Sequence, residues 1–423
     1  MLELADKLLP DIEGKIAVAF SGGGDSTALL HALKDDKRAQ YAFIVDHNLR
    51  PGSRREALAA KTWAQELGYE AKLLTWSHDN PKTGVQEKAR LGRYSLLGEA
   101  CRKFGVSHLL TAHTEDDQAE TLLMRYERQT DWRGAAGMPQ VSHGGLWPQL
   151  ALVTLVRPLL NTSRQALRDY NCQHKLSWNE DPSNQNRDFA RIRARDYLSN
   201  NAEMKTQLLK ASDDMRLARE SERNYLRQLA GETVTVSANG LIYLSRVTAI
   251  ELTRHLLNCA SGQGRVIDKE KIRRLHETMR GSNFKSATLA GAMVSRHKDG
   301  YIIFRDPVAI RGRKDRNLEA AALSWDLADY PRLWDGRYSA TSGRHKAKIS
   351  TVHAAQDILS PEQQSYLASL PHMARGTLPV LQLYDFPEKI IAVGHQSPSL
   401  SSNYQLKCLV GLRLEAALGG VCL

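Results

Sequence analysis

Four apolar runs of strand length, KIAVAF (15–20), YAFIVD (41–46), AKLLTW (71–76) and SHLLTA (107–112), recur through the first part of the chain, and amphipathic stretches at 26–36, 53–68 and 85–104 separate them. No other feature constrains the fold as much. Strands that alternate with helices pair in parallel and carry the helices on both faces of the sheet. Strands covered on both faces lose the polar alternation of a half-exposed sheet, and these runs lack it. The expectation is an α/β, parallel-sheet N-terminal domain over residues 1–198.

The pattern then changes. NAEMKTQLLKASDDMRLARESERNYLRQL is polar and helix-prone, and the spacing predicts one long connecting helix over about 198–230. TVTVSANGLIYLS follows, with Asn239-Gly240 as a tight hairpin turn. Helices near 247–258 and 268–280 come next, and then MVSRHKDGYIIFRD, in which Asp299-Gly300 marks another turn. This predicts a second, α+β domain over 199–310. The charged segment RGRKDRN (311–317) reads as a linker, and short strands such as LPVLQLYD and KIIAVGH predict a small third domain over 311–423.

Charge narrows the partners. Lys and Arg number 58 against 47 Asp and Glu, a net charge of +11 among 423 residues. Such an excess favours a polyanion, nucleic acid before an anionic membrane. No apolar run is long enough to span a bilayer, and MLELADKLLPDIEG lacks the basic flank and cleavage site of a signal peptide, so a cytoplasmic protein is expected. The five cysteines, Cys101, Cys172, Cys259, Cys408 and Cys422, are far apart and form no CxxC pair. A disulfide scaffold, zinc and an iron–sulfur cluster are therefore not expected; isolated reduced thiols in or near cores are.

The chemistry-bearing residues cluster where strands end, which is where open α/β sheets bind ligands. After the first strand comes SGGGDS, Ser21, Gly22, Gly23, Gly24, Asp25 and Ser26. Its backbone N–H groups and the helix N-terminus behind it suit phosphate oxygens. A plain strand–helix turn capped by Asp25 or Ser26 is the alternative. A Walker loop would need a lysine that is missing here, and a dinucleotide loop would need glycine where Thr27 stands. The second strand ends in VDHNLRPGS, presenting Asp46, His47, Asn48 and Arg50. The fourth ends in TAHTEDDQAETLLMR, where Thr114 and Asp117 fit a capping box and Ala119, Leu122, Leu123 and Tyr126 form the expected buried stripe. Asp116 with Glu120, and Asp117 with Glu120, are like-charge neighbours on that helix. They either complement the helix dipole or await a cation, a metal ion or a substrate ammonium. Further on, Arg187, Arg191 and Arg195 recur at i,i+4 in NRDFARIRARDYL; such a row can track RNA phosphates, or be a solvated face paired with Asp188 and Asp196.

SGGGDS resembles the pyrophosphatase loop of the PP-loop, or N-type ATP pyrophosphatase, family. Together with VDHNLRPGS, TAHTEDDQAETLLMR, GAAGMP, RPLLNTSRQALRDY and WNEDPSNQNRDFARIR, in that order over about residues 14–200, it resembles the tRNA(Ile)-lysidine synthase family. The resemblance implies an adenine nucleotide α-hydrolase-like fold and a carbon–nitrogen ligase. ATP with Mg²⁺ would adenylate the wobble cytidine of a tRNA(Ile) with anticodon CAU. Free L-lysine would then displace AMP, leaving lysidine and pyrophosphate. It also implies roles: Ser21 to Ser26 and Asp46 for ATP, Asp25 as a candidate for Mg²⁺, Asp117 and Glu120 for the lysine ammonium or the metal, and Arg90 and Arg93 in QEKARLGRY for phosphate or RNA. It implies that the second and third domains clamp the tRNA. One segment departs: where the family usually has Arg-Gly-Ser-Gly, this chain has Arg128-Gln129-Thr130-Asp131, which bears on loop closure. A tRNA thiolase on the same loop and a non-catalytic adenine-nucleotide or RNA-binding module are the competing readings.

Overall fold

The computed structural model describes residues 9, 12–79, 83–179, 190–311, 323–325, 330–342, 347–383, 390–395 and 404–420. The chain divides into two compact units, Met1–His143 with Leu152–Glu222, and Gly144–Ala151 with Arg223–Leu423.

In the first unit the chain alternates as the apolar runs require: β1 (Lys15–Ala19), α1 (Gly24–Ala32), β2 (Ala39–Asp46), α2 (Ser53–Glu66), β3 (Glu70–Thr75), α3 (Val85–Phe104), β4 (Val106–Leu110) and α4 (Glu115–Glu127). A short turn of helix, α5 (Trp132–Ala135), the strands β5 (Val141–His143) and β6 (Thr154–Val156), and the helices α6 (Arg164–Gln173), α7 (Ala190–Ser199) and α8 (Ala202–Thr233) follow. The strands form one sheet in the order β3-β2-β1-β4-β6-β5, parallel except for β5. The chain builds outward from β1 in one direction and returns from β4 in the other. A crevice therefore opens between the carboxyl ends of β1 and β4, the switch point at which such sheets bind ligands. Ile16, Val18, Ile44 and Leu110 bury against Leu29 and Leu30 of α1 and Leu167 of α6. Truncating a fully buried leucine of this kind costs about 2–5 kcal/mol.

The expected long helix is α8, Ala202–Thr233, which starts a few residues after 198. Asn200 and Asn201 turn their side-chain amides back onto the carbonyls of Asp196 (2.9 Å) and Tyr197 (2.7 Å). These bonds satisfy the last open carbonyls of α7, and α8 starts afresh. Tyr126 also departs from expectation: it is 76% exposed, because it stands on the last turn of α4, while Ala119, Leu122 and Leu123 are buried.

The second unit carries three antiparallel sheets. In the first, β7 (Val234–Val236), β8 (Ile242–Leu244), β9 (Ser286–Leu289), β10 (Ala292–His297) and β11 (Gly300–Arg305) lie in the order β7-β8-β11-β10-β9, packed under α9 (Ile250–Ser261) and α10 (Lys269–Arg280). Gly240 takes φ 73° in the β7–β8 turn. The β10–β11 turn centres on Lys298 and Asp299, one residue earlier than expected, since Gly300 already pairs with His297. The remaining sheets are β12 (Leu323–Trp325), β15 (Ala347–Thr351), β16 (Pro379–Leu383) and β17 (Ile390–Val393), and β13 (Arg332–Trp334), β14 (Tyr338–Ser342) and β18 (Tyr404–Cys408). Buried Asp335 joins them to β11, accepting from Arg305 (2.9 Å) and Arg337 (2.8 Å). Cys101 and Cys259 are buried, Cys408 is half-buried and Cys172 is exposed; Cys422 and most of the segment 311–317 lie outside the described residues. Among the described residues no helix is long and apolar enough to cross a membrane.

Candidate active site

The loop at the end of β1 is organised by its own hydroxyls. Ser26 Oγ donates to the Gly23 carbonyl (2.9 Å) and stands 3.0 Å from Ser21 Oγ, while the Gly23 N–H donates to Ser21 Oγ (3.3 Å). The residue before α1 is Gly23, and no side chain caps the helix. The alternative in which Asp25 or Ser26 caps a plain turn is thereby removed; Asp25 instead lies in the first turn, and the helix N-terminus stays open to an anion. Gly22 requires its glycine: φ is +79°, and an added Cβ would come within 3.2 Å of Ala60 Cβ. From behind, Asn171 of α6 donates to the Gly24 carbonyl (2.9 Å) and the Asn179 N–H to the Gly22 carbonyl (2.9 Å).

At the end of β2, Asp46 is buried and accepts from Ser53 Oγ (2.8 Å) and the Asn48 N–H (3.0 Å), which shapes the turn into α2. Next to it the buried His47 Nδ1 has no hydrogen-bond partner among the described residues, an unmet polar atom at the carboxyl end of β2. Burial lowers the His47 pKa, and nearby Arg93 adds to this against the opposing charge of Asp46.

At the end of β4, Thr114 and Asp117 form a capping box. Asp117 Oδ2 accepts from the Thr114 N–H (2.8 Å) and hydroxyl (2.9 Å), and the Asp117 N–H donates to Thr114 Oγ1 (3.3 Å). Asp117 and Glu120 are both buried. Buried carboxylates stay ionised only when they are paired, and these are paired with arginines. Arg164, the first residue of α6, donates to Asp25 (3.4 Å), Glu120 (3.3 Å) and Asp117 (3.1 Å). Arg191 donates to Glu120 (2.8 Å) and Asp117 (2.8 Å), and Arg195 to Glu120 (2.8 Å). Lys205 bridges Glu115 (2.8 Å) and Asp116 (2.9 Å). Burial works to raise the Asp117 pKa, but Arg191 and Arg164 outweigh it and hold the carboxyl below its ordinary value. Asp25 ends above its ordinary value, because burial and the charge of Asp117 exceed the help it receives from Arg164. Burial lowers the His113 pKa to about 3, so its imidazole is neutral.

Asp25, Asp117 and Glu120 thus meet, as the loop-end clustering implied, but through a guanidinium rather than around an open metal site. Among the described residues no group of three or more His, Cys, Asp or Glu side chains is arranged to hold a metal ion. Arg191 and Arg195 point to these acids, not to a row facing solvent, and Arg187 lies outside the described residues. Arg90 and Arg93 flank the ring of buried Tyr94, each guanidinium 5.0 Å from its centroid. Arg164 was not singled out from sequence. Its motif, RPLLNTSRQALRDY, was visible, but the residue acts only because α6 packs across α1. Arg157 was likewise missed; it is buried beneath GAAGMP and donates to the Pro139 carbonyl (2.7 Å).

A phosphate-ready loop after the first strand of a 3-2-1-4 parallel sheet, with an acid–arginine cluster across the switch point, defines a PP-loop ATP-using domain, and the family model described as "PP-loop domain" matches residues 2–202. Over nearly its whole length the chain is similar to a tRNA(Ile)-lysidine synthase of Caulobacter vibrioides, 31% identical over 98% of this chain and 95% of that protein. A second one, from Mesorhizobium japonicum, is 34% identical over 80% of this chain and 75% of its own. A third, from Hyphomonas neptunium, is 34% identical over 69% and 82%. The chain belongs to the tRNA(Ile)-lysidine synthase family. Among solved structures it is similar to the U34-tRNA thiolase NcsA of Methanococcus maripaludis, with TM-score 0.43 and 17% identity over 50% of this chain and 77% of that one, too slight a likeness to bear on function.

Proposed function

We propose that the protein joins the ε-amine of free L-lysine to the wobble cytidine of a tRNA(Ile) bearing the anticodon CAU, at the expense of ATP. The ring carbonyl oxygen of the base attacks the α-phosphorus of ATP and pyrophosphate leaves. The lysine amine then attacks the activated ring carbon and AMP leaves with the carbonyl oxygen. The observation that carries this reading is the acid–arginine cluster opposite the phosphate loop: a nucleotide site alone has no use for two buried carboxylates, whereas an amine substrate does.

In this reading the N–H groups of Gly22 to Ser26 and the hydroxyls of Ser21 and Ser26 hold the pyrophosphate end, and Asp46 lies toward the adenosine. Asp25 takes Mg²⁺ carried in with ATP, which would offset charge on the leaving pyrophosphate. Asp117 and Glu120 take the lysine ammonium. Arg90, Arg93 and Arg187 meet RNA phosphates, while Arg191 and Arg195, first expected on such a row, hold the carboxylates. Segments 199–310 and 311–423 hold the rest of the tRNA. The chemistry calls for neither zinc nor an iron–sulfur cluster, and the protein works in the cytoplasm.

The test is release of pyrophosphate and AMP from ATP. It is expected only with tRNA and lysine both present, and Asp25→Ala is expected to lose it while keeping most tRNA binding. Release indifferent to lysine would favour a thiolase, and nucleotide binding without release would favour a sensor; either result sinks the proposal.

A further inference from the structure

Every oxygen of Asp117 and Glu120 is already taken, and two arginines, Arg164 and Arg191, are each common to both acids; of the two, Arg164 alone also reaches Asp25. Asp117 Oδ2 is committed to the capping box, which leaves Oδ1, and Oδ1 accepts from Arg164 (3.1 Å) and Arg191 (2.8 Å). Glu120 Oε1 accepts from Arg164 (3.3 Å) and Arg195 (2.8 Å). The third branch of Arg164 reaches Asp25 in the phosphate loop at 3.4 Å, the longest of its side-chain bonds. Its backbone N–H is fixed on Asp116 (2.7 Å), so the residue swings from an anchored base.

The charges of this set balance. Asp25, Asp117 and Glu120 face Arg164, Arg191 and Arg195, three anions against three cations. A lysine ammonium cannot enter a balanced, buried set without displacing a cation. Arg164 is the one that has somewhere to go. It stands at the N-terminus of the ten-residue helix α6, the end at which a cation is disfavoured, and it is retained there by the acids. Its Asp25 branch points into the loop that a polyphosphate would fill. A guanidinium prefers a multiply charged phosphate, with matching geometry, to a single shared carboxylate oxygen.

We infer that Arg164 is a positioning residue that makes amine binding depend on nucleotide binding: with ATP in the loop its guanidinium turns to the phosphates and opens a place on Asp117 Oδ1 and Glu120 Oε1 together for the lysine ammonium. This rests on the reaction proposed above. Arg191 and Arg195 remain on the cluster after the swing, so the incoming ammonium restores the balance that the departure of Arg164 removes. The arrangement delays amine capture until the group that will activate the base is in place. By linkage, lysine must tighten nucleotide binding by the same factor.

The experiment is calorimetric titration of the full chain with L-lysine, with and without an α,β-methylene ATP analogue and Mg²⁺. The wild-type protein is expected to bind lysine at least about 5-fold more tightly with the analogue present, the lower end of ordinary coupling between sites. Lysine should tighten analogue binding equally. In Arg164→Gln the ratio should fall to one while both ligands still bind. A purely structural role for Arg164 would weaken both and leave the ratio intact. Should Arg164→Gln not fold, Arg164→Lys serves, since an ammonium lacks the fork that spans Asp117 and Glu120, and its ratio should also drop. A wild-type ratio of one, or an undiminished ratio in the folded variant, overturns the inference. Pyrophosphate release by the wild type, dependent on lysine and tRNA, tests the reaction separately. If it occurs and the ratio is one, only the role of Arg164 fails.

Discussion

Gln129 holds a left-handed backbone conformation, φ 50°, in the segment that departs from the Arg-Gly-Ser-Gly pattern expected from the family resemblance. An L-residue there pays roughly 1–2 kcal/mol, and replacing it by glycine returns roughly 0.4–1 kcal/mol to the unfolded chain as entropy. Gln129→Gly is therefore expected to raise stability by about 0.5–1 kcal/mol, read from the denaturation midpoint; a lower midpoint would show that the side chain contributes more than its backbone costs. The neighbouring changes are absorbed locally. Asp131 caps the short helix α5 by accepting from the Gly134 N–H (3.4 Å) and pairs with Arg133 (3.1 Å), while Thr130 Oγ1 donates to the Arg125 carbonyl (3.2 Å). At this scale the sequence was readable where a residue works through its near neighbours, as Thr114 does with Asp117. It was not readable where the partner is distant in sequence. Arg164 meets Asp25 across 139 positions, and no local spacing announces that.

Helix α4 shows how an element turns a local rule into a site. Its capping box is a stability device, and it also aims Asp117: with Oδ2 fixed on Thr114, Oδ1 must point into the crevice. Thr114→Ala should cost about 0.5–2 kcal/mol of stability, as losing an N-cap does. It should also weaken lysine binding, because Asp117 loses the hydroxyl that holds its rotamer. Thr114→Ser keeps the hydroxyl and should restore both; a serine variant as impaired as the alanine one would show that the threonine methyl, not the cap, matters. Strand–helix alternation made the elements of the first unit legible, with boundaries shifted by a few residues. The long helix was legible too, as α8, and what its composition does not register is the residue at which it starts. Two asparagine side chains decide it by capping carbonyls, a competition that periodicity does not register.

Across the whole molecule, what the sequence hides is the pairing of remote segments and the state of buried ionisable groups. Residues 144–151 come from the middle of the α/β region yet belong to the second unit, where Trp147 donates to the Gly336 carbonyl (2.6 Å) and lies under Arg413. Burial also leaves a consequence for acid stability. His31, His47, His108, His113 and His276 all have pKa values lowered, in each case first by burial. In the unfolded chain each returns to about 6.5. As pH falls through that value the unfolded state takes up protons that the folded state refuses, so stability is lost as pH falls. For His113 the loss continues down to its folded value of about 3. Asp116 and Asp117 add to it at lower pH. Burial opposes their ionisation, but the Arg164 N–H and Lys205 at Asp116, and Arg191 and Arg164 at Asp117, hold both below the ordinary carboxyl value of 3.8, and that stabilisation disappears as they protonate. Asp25 works the other way, since its raised pKa makes its ionised form a cost above 3.8. The histidines act first on acidification and outnumber it. The midpoint of urea denaturation should therefore hold nearly level from about pH 8 to about pH 7 and then fall to about pH 4, the decline beginning near the ordinary histidine value of about 6.5 rather than in the carboxylate range. His113→Asn, neutral at every pH, should make that decline shallower, whereas an equally steep profile in the variant would mean that His113 titrates normally and is not held neutral beside the carboxylates it faces.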